Sequence, residues 1–225
     1  MSAISKPTIT FLKNLSKNNN REWFNTNKDK WKSAQDELKG FLADLESEMN
    51  KFDAIEKTKL FRIYRDVRFS KDKTPYQKHY SMSMTREGKF RRGGYYFRIE
   101  PKESFMAAGF WGPEPKDLKL IRDHISSDPK PLRKLINAKK FKDLFGDLEG
   151  EQLKNVPRGY DKEDPAGDLL KFKQFIVTKK FPTSQVMEPG FVKELVKCYK
   201  AVGPWFAYMT DILTHDLDGV PLYTD

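Results

Sequence analysis

The stretch FRIYRDVRFSKDKTPYQKHY, residues 61–80, places arginines at 62, 65 and 68 around an aspartate at 66. A guanidinium is a planar fork of donors that matches the oxygens of phosphate or carboxylate two at a time. Lys71, Lys73 and Lys78 follow within ten residues of the last arginine. Arg62, Arg65, Arg68, Lys73 and Tyr76 are therefore the candidate anion-binding residues. Asp66, Tyr76 and His79 are the candidates for proton transfer, His79 because an imidazole titrates near neutrality. The competing structural reading is a ladder of ion pairs on a solvated face, with function in a protein interface. An arginine among apolar neighbours must be paired or line a cleft, since an unpaired buried charge is costly. Arg65 is in that position, and a helix carboxylate is the partner expected for it.

The charge of the whole chain points to the same stretch. The formal net charge of the 225 residues is +10. Between Lys57 and Arg98 stand 13 Lys or Arg against Asp66, Asp72 and Glu87, and elsewhere 29 basic residues face 29 acidic ones. The basic segment thus carries the full excess, and such a segment attracts phosphate-bearing ligands, nucleic acid or acidic partners. Aromatic residues make up 13% of the chain, which supplies enough apolar surface for a globular core. No apolar run has membrane-spanning length, so no membrane is expected as a partner. Cys198 is the lone cysteine, and a reducing cytoplasm is the compartment expected. The sequence carries no signal for an oligomeric state.

The elements that must position these residues follow from periodicity. Residues 60–69 alternate, with Phe61, Ile63, Arg65, Val67 and Phe69 on one side and Arg62, Tyr64, Asp66 and Arg68 on the other, as in a strand. Segments 81–86, 94–100 and 105–111 alternate likewise, and 175–181 is a further strand candidate. Short connections between successive strands imply an antiparallel meander. Thr8 is placed to cap a helix running through Ser16, and Asn20 to precede a longer helix. Along the latter, Trp23, Phe24, Trp31, Leu38, Phe41, Leu45 and Met49 share one face, more fitting for core than for a binding platform. Helices are also expected from Pro115, over 129–137 and up to Gly146. The last opens near Pro189, and Gly203-Pro204 is expected to kink it, because proline removes one helix hydrogen bond and clashes with the preceding turn. The fold class is α+β: residues 1–225 as a single domain, one antiparallel sheet with helices packed on one face.

The string Arg62-x-x-Arg65-Asp66-x-Arg68-Phe69, with Asp72-Lys73 and Tyr76 after it, resembles the signature of a widespread bacterial family of conserved hypothetical proteins. That family is a domain of unknown function, also found within some longer fungal proteins. NNREWFNTNKD, GFWGPEPKDLKLIRDHI and VPRGYDKEDP are similar to other blocks of it. The resemblance covers nearly the whole chain. It implies that Arg62, Arg65, Asp66, Arg68, Asp72, Lys73 and Tyr76 are the family's marked positions. It carries over no catalytic residue.

Other chemistry finds little support. His79, His124 and His215 are far apart and lack ligand spacing, so no metal is expected. There is no nucleophile elbow, P-loop or dinucleotide fingerprint, so no cofactor is expected. Asp66 with Glu100 and Lys102 matches the Asp…Glu-x-Lys pattern of metal-dependent nucleases, but Glu37 and Lys39 match it inside a helix. The connection REGKFRRGG offers a basic ribbon with Phe90 at its tip, and Arg158 and Tyr160 are candidates to join the basic site. Three readings stay open: a phosphate-binding or nucleic-acid-binding module built on 62–79, an enzyme acting on a small anionic or phosphorylated substrate, and a structural arginine network with function in a protein interface.

Overall fold

The structure is a computed structural model and describes residues 3–88 and 91–222. The helices and strands, in chain order, are α1 (Lys6–Lys17), α2 (Arg21–Thr26), α3 (Lys28–Met49), β1 (Ile55–Leu60), β2 (Tyr80–Arg86), β3 (Gly94–Ile99) and β4 (Glu103–Phe110). Then come α4 (Pro115–Ser127), α5 (Lys130–Ile136), α6 (Lys139–Phe145), α7 (Gly167–Leu170), β5 (Phe175–Pro182), α8 (Thr183–Val186) and α9 (Phe191–Ile212). The strands form one antiparallel sheet in the order β1-β2-β3-β4-β5, with helices packed around it, so the α+β class holds.

Two boundaries differ from the sequence reading. The first strand ends at Leu60, and 61–69 is irregular apart from an isolated bridge between Tyr64 and Tyr76. The alternation there is real through Arg68: Ile63 is buried and Phe61, Arg65 and Val67 are half-buried, while Arg62, Tyr64, Asp66 and Arg68 are exposed. Phe69 breaks it, being 97% exposed. Alternation reports which side is buried, not which neighbour supplies the ladder hydrogen bonds. The long helix expected after Asn20 is two helices. Asn20 caps α2 through Oδ1, and the chain breaks at Asn27, whose Nδ2 donates to Trp23 O instead of leaving the next helix regular. Similarly Ser5, not Thr8, caps α1.

The chain gathers into two compact units, Met1–Thr85 with Tyr95–Met106 and Lys180–Lys197, and Arg86–Gly94 with Ala107–Lys179 and Cys198–Asp225. In the first, α3 lays Leu38, Phe41, Leu45 and Met49, all buried, towards the sheet. Their spacing of three and four makes one apolar stripe. Phe97 of β3 is the centre of this core, 6.0 Å from the ring of Phe41, 5.6 Å from Phe191 and 6.5 Å from Phe181. Glu37 ties α3 to the start of α1, accepting from Ser5 N at 2.7 Å and from Thr8 Oγ1 at 3.0 Å. Tyr95 donates to Asp53 at 2.6 Å, anchoring the turn that leads into β1.

In the second unit Trp205 and Phe206 of α9 pack with Phe110 and Phe141. Pro204 lies inside α9 without ending it. Gly109 is required: its φ is +150°, and a Cβ there would sit 2.2 Å from the carbonyl oxygen of Phe175. Two arginines of the basic segment are engaged within this unit, one buried and one half-buried. Arg86 is 7% exposed, donates to Arg92 O and Thr210 Oγ1, and lies over the ring of Phe206. Arg92 pairs with the buried Asp117 at 3.2 Å. Tyr160 donates to Asp123 in the same unit. Phe90 lies outside the described residues.

Candidate anion site

Between β1 and β2 the chain makes an excursion over 61–79 that turns back on itself. Phe61 N donates to Ser81 O, Arg65 N to Pro75 O and Gln77 N to Ile63 O, so the two arms run side by side. Residues 66–74 form the tip. Its two aspartates fold it locally, as short acidic side chains do when they accept from a backbone N–H two residues on. Asp66 accepts from Arg68 N at 3.2 Å and Asp72 from Thr74 N at 2.9 Å.

Arg65 reaches into this tip and stitches it shut. Its Nη1 donates to Asp72 Oδ2 at 2.7 Å, Thr74 O at 3.0 Å and Thr74 Oγ1 at 2.5 Å, and its Nη2 to Ser70 Oγ at 3.3 Å. The side chain is 18% exposed. Its carboxylate partner therefore comes from the same loop and not from a helix. Asp72, held by Thr74 and then by Arg65, has its carboxyl lowered to about 2. Lys73 points back at the tip and donates to Val67 O at 3.0 Å.

Arg68 and Asp66 form a second pair on the outside. Nη2 lies 2.6 Å from Oδ2 and Nε 3.0 Å from Oδ1, a forked contact. These hydrogen bonds from Arg68 push the Asp66 carboxyl below the usual range, with Arg62 adding to the effect. Tyr76 is turned the other way. It is 4% exposed, and its ring stacks on Phe24 of α2 at 3.9 Å and 12°. Tyr64 meets both rings edge-on, at 5.6 Å from Phe24 and 5.4 Å from Tyr76. Asn19 brackets the backbone of Tyr76, donating to its carbonyl at 2.8 Å and accepting from its N–H at 3.1 Å.

A cleft of about 270 Å³ opens beside this loop, lined by Phe61, Arg62, Tyr64, Arg65, Asp66, Gln77, His79 and Ser81. Arg62 is exposed and makes no ion pair or hydrogen bond among the described residues. His79 is half-buried, and burial followed by the nearby Arg98 charge lowers its pKa to about 4. Arg98 Nε lies 2.6 Å from Glu100 Oε1, although its N–H is not directed at that oxygen. Of the candidate anion-binding set, the structure brings Arg62 and Arg65 to the cleft, turns Arg68 and Lys73 onto the loop itself, and places Tyr76 beneath it. Among the proton-transfer candidates, Asp66 and His79 line the cleft and Tyr76 does not. Asn19, Gln77 and Ser81 are not singled out by sequence, and Phe24 only as a core position; Asn19 and Phe24 fall in the NNREWFNTNKD block, the one signal that points to them together.

No group of three or more His, Cys, Asp or Glu among the described residues is placed to hold a metal ion. No helix among them is long and apolar enough to cross a membrane. An antiparallel sheet with helices packed around it, and an arginine-stitched basic loop beside a cleft, define an α+β protein with a basic candidate site. The chain matches the family described as Conserved hypothetical protein (DUF2461) over residues 7–208, and it belongs to that family. No curated protein matches it.

Proposed function

We propose that this protein is a binding module for a phosphate-bearing anion, with Arg62 as the primary contact in the cleft beside the 61–79 loop. One observation carries the reading. Arg65 and Arg68 are each tied to a carboxylate of the same loop, Asp72 seven residues on and Asp66 two residues back, while Arg62 stands exposed at the same cleft with no ion pair or hydrogen bond among the described residues. The paired arginines shape and stiffen the loop; the unpaired one is free to receive a ligand. Stiffening lowers the ordering cost at binding. Tyr64 and Gln77 supply further polar groups at the rim. We read residues 1–225 as one domain in this role, because the five strands form a single sheet. The buried Cys198 fits the cytoplasmic setting we propose.

The enzyme reading has weaker support. A base whose pKa lies near 4 is a poor proton acceptor at neutral pH, and Asp66 is occupied by Arg68. Titration of tripolyphosphate into the wild type and an Arg62→Ala variant tests the proposal: binding lost in the variant supports it, and equal binding by both removes Arg62 from any site.

A further inference from the structure

Resting on the anion-site reading, we propose that the face of the sheet next to the cleft is a stacking platform for single-stranded nucleic acid, formed by Phe61, Tyr96 and Phe105. Strand alternation places Tyr95, Phe97 and Ile99 in the core and turns Tyr96 and Arg98 to the other face. The rings of Phe61 and Tyr96 lie 6.4 Å apart, and those of Tyr96 and Phe105 5.9 Å. Phe61 follows β1 and Tyr96 is on β3, with β2 between them, a separation of roughly 9–10 Å between backbones. Strand alternation puts the small Ser81 and Ser83 of the intervening β2 on the face opposite the buried Tyr80, Met82 and Met84, which leaves room for rings to meet across it. All three residues are half-buried, neither in the core nor fully exposed. A row of aromatic rings across a sheet face with cations around it is the arrangement that receives unpaired bases, whose flat faces stack while their phosphates go to Lys and Arg.

Charge chooses the occupant. Lys59 Nζ lies 4.7 Å from the centre of the Phe61 ring, and Arg98 5.8 Å from that of Phe105. Lys57, on the same side of β1 as Lys59, and Arg62 are exposed and hold no ion pair among the described residues. The full +10 excess of the chain lies between Lys57 and Arg98, which includes two of the three rings. Phe61 and Ser81 also line the cleft, so the platform and the anion site are continuous. A duplex hides its base faces, so the platform discriminates single strands from duplex, which charge alone does not.

The test is fluorescence anisotropy with labelled oligouridine and oligothymidine of about 12 nucleotides, a duplex of equal length and a polyglutamate peptide, at about 50 mM salt. Wild type is compared with Phe61→Leu/Phe105→Leu, which keeps apolar bulk but removes two ring faces, and with Arg62→Ala. Circular dichroism checks the fold, and the single Phe105→Leu serves if the double variant unfolds. Single strands are expected to bind about tenfold or more tighter than duplex, the double ring variant to lose about tenfold, and Phe105→Leu, whose ring lies outside the cleft lining, to weaken single-strand binding while still binding tripolyphosphate. Equal binding of single strand, duplex and polyglutamate, or no loss in the ring variant, would overturn the platform. If oligonucleotides do not bind but tripolyphosphate does through Arg62, the platform falls and the anion site stands. If neither binds, both fall.

Discussion

Arg65 Nη1 lies 2.7 Å from Asp72 Oδ2, seven residues further along the same loop. The loop is closed by its own side chains. Arginine suits this closure because its planar fork reaches Asp72, Thr74 and Ser70 together, while the compact ammonium of lysine could meet one or two of them. Arg65→Ala is expected to lower stability by about 1–3 kcal/mol, the cost of leaving part-buried partners unmet. Arg65→Lys should recover only part of this. Urea denaturation of the three proteins checks the order.

Asn19 holds Tyr76 from outside the loop. Its amide closes a two-bond bracket on a backbone whose ring stacks on Phe24. Asn19→Ala is expected to cost about 1–3 kcal/mol, since two backbone groups lose their partner. Asn19→Asp retains the acceptor for Tyr76 N but loses the donor to Tyr76 O, and should fall between. Thermal melts of both variants decide.

His79 makes stability depend on pH. Its folded pKa is lowered to about 4, from an unfolded value of about 6.5. Below pH 6.5 the unfolded chain takes up the proton first, so it binds more protons than the native state and stability falls as pH falls. The contribution is intact above about pH 6.5 and is lost progressively down to about pH 4. His79→Gln should flatten the stability profile within that window and leave it parallel to wild type between pH 7 and 8. A profile of unchanged slope in the variant would contradict the assignment.

Asp72 acts lower on the scale. With its carboxyl at about 2 against an ordinary 3.8, it supports the native loop above pH 4 and withdraws that support as pH falls towards 2. Asp72→Asn should remove this acid-sensitive step, read as a smaller loss of stability between pH 4 and 2. Because the group is at the surface, added salt should weaken the wild-type effect.

Much of this was legible before any coordinates. The two-residue alternation of 94–99 and the three-and-four spacing of Leu38, Phe41, Leu45 and Met49 each state a buried face, and those faces are buried. The 61–69 segment shows the limit. Its inward and outward sides were readable through Arg68, yet the strand stops at Leu60 because hydrogen bonding depends on what lies alongside. Arg65 was recognisable as a charge needing a partner, but Asp72 as that partner depends on a turn closed by Asx bonds, Lys73 and Arg65 together. The meeting of Phe61, Tyr96 and Phe105 depends on ladder register and on the small side chains of β2, neither of which leaves a local pattern in the sequence.

The central claim is that Arg62 is the ligand-facing arginine of the three. Calorimetric titration of tripolyphosphate into wild type, Arg62→Ala and Arg68→Ala across a salt series tests it most directly. Arg62 makes no ion pair or hydrogen bond among the described residues, so Arg62→Ala should leave stability within about 0.5 kcal/mol of wild type. Its affinity should nonetheless drop about tenfold or more, as for loss of a charge-assisted contact. Arg68→Ala should bind nearly as wild type does, and wild-type binding should weaken as salt rises. Unchanged affinity in Arg62→Ala, or a larger loss in Arg68→Ala, would contradict the account.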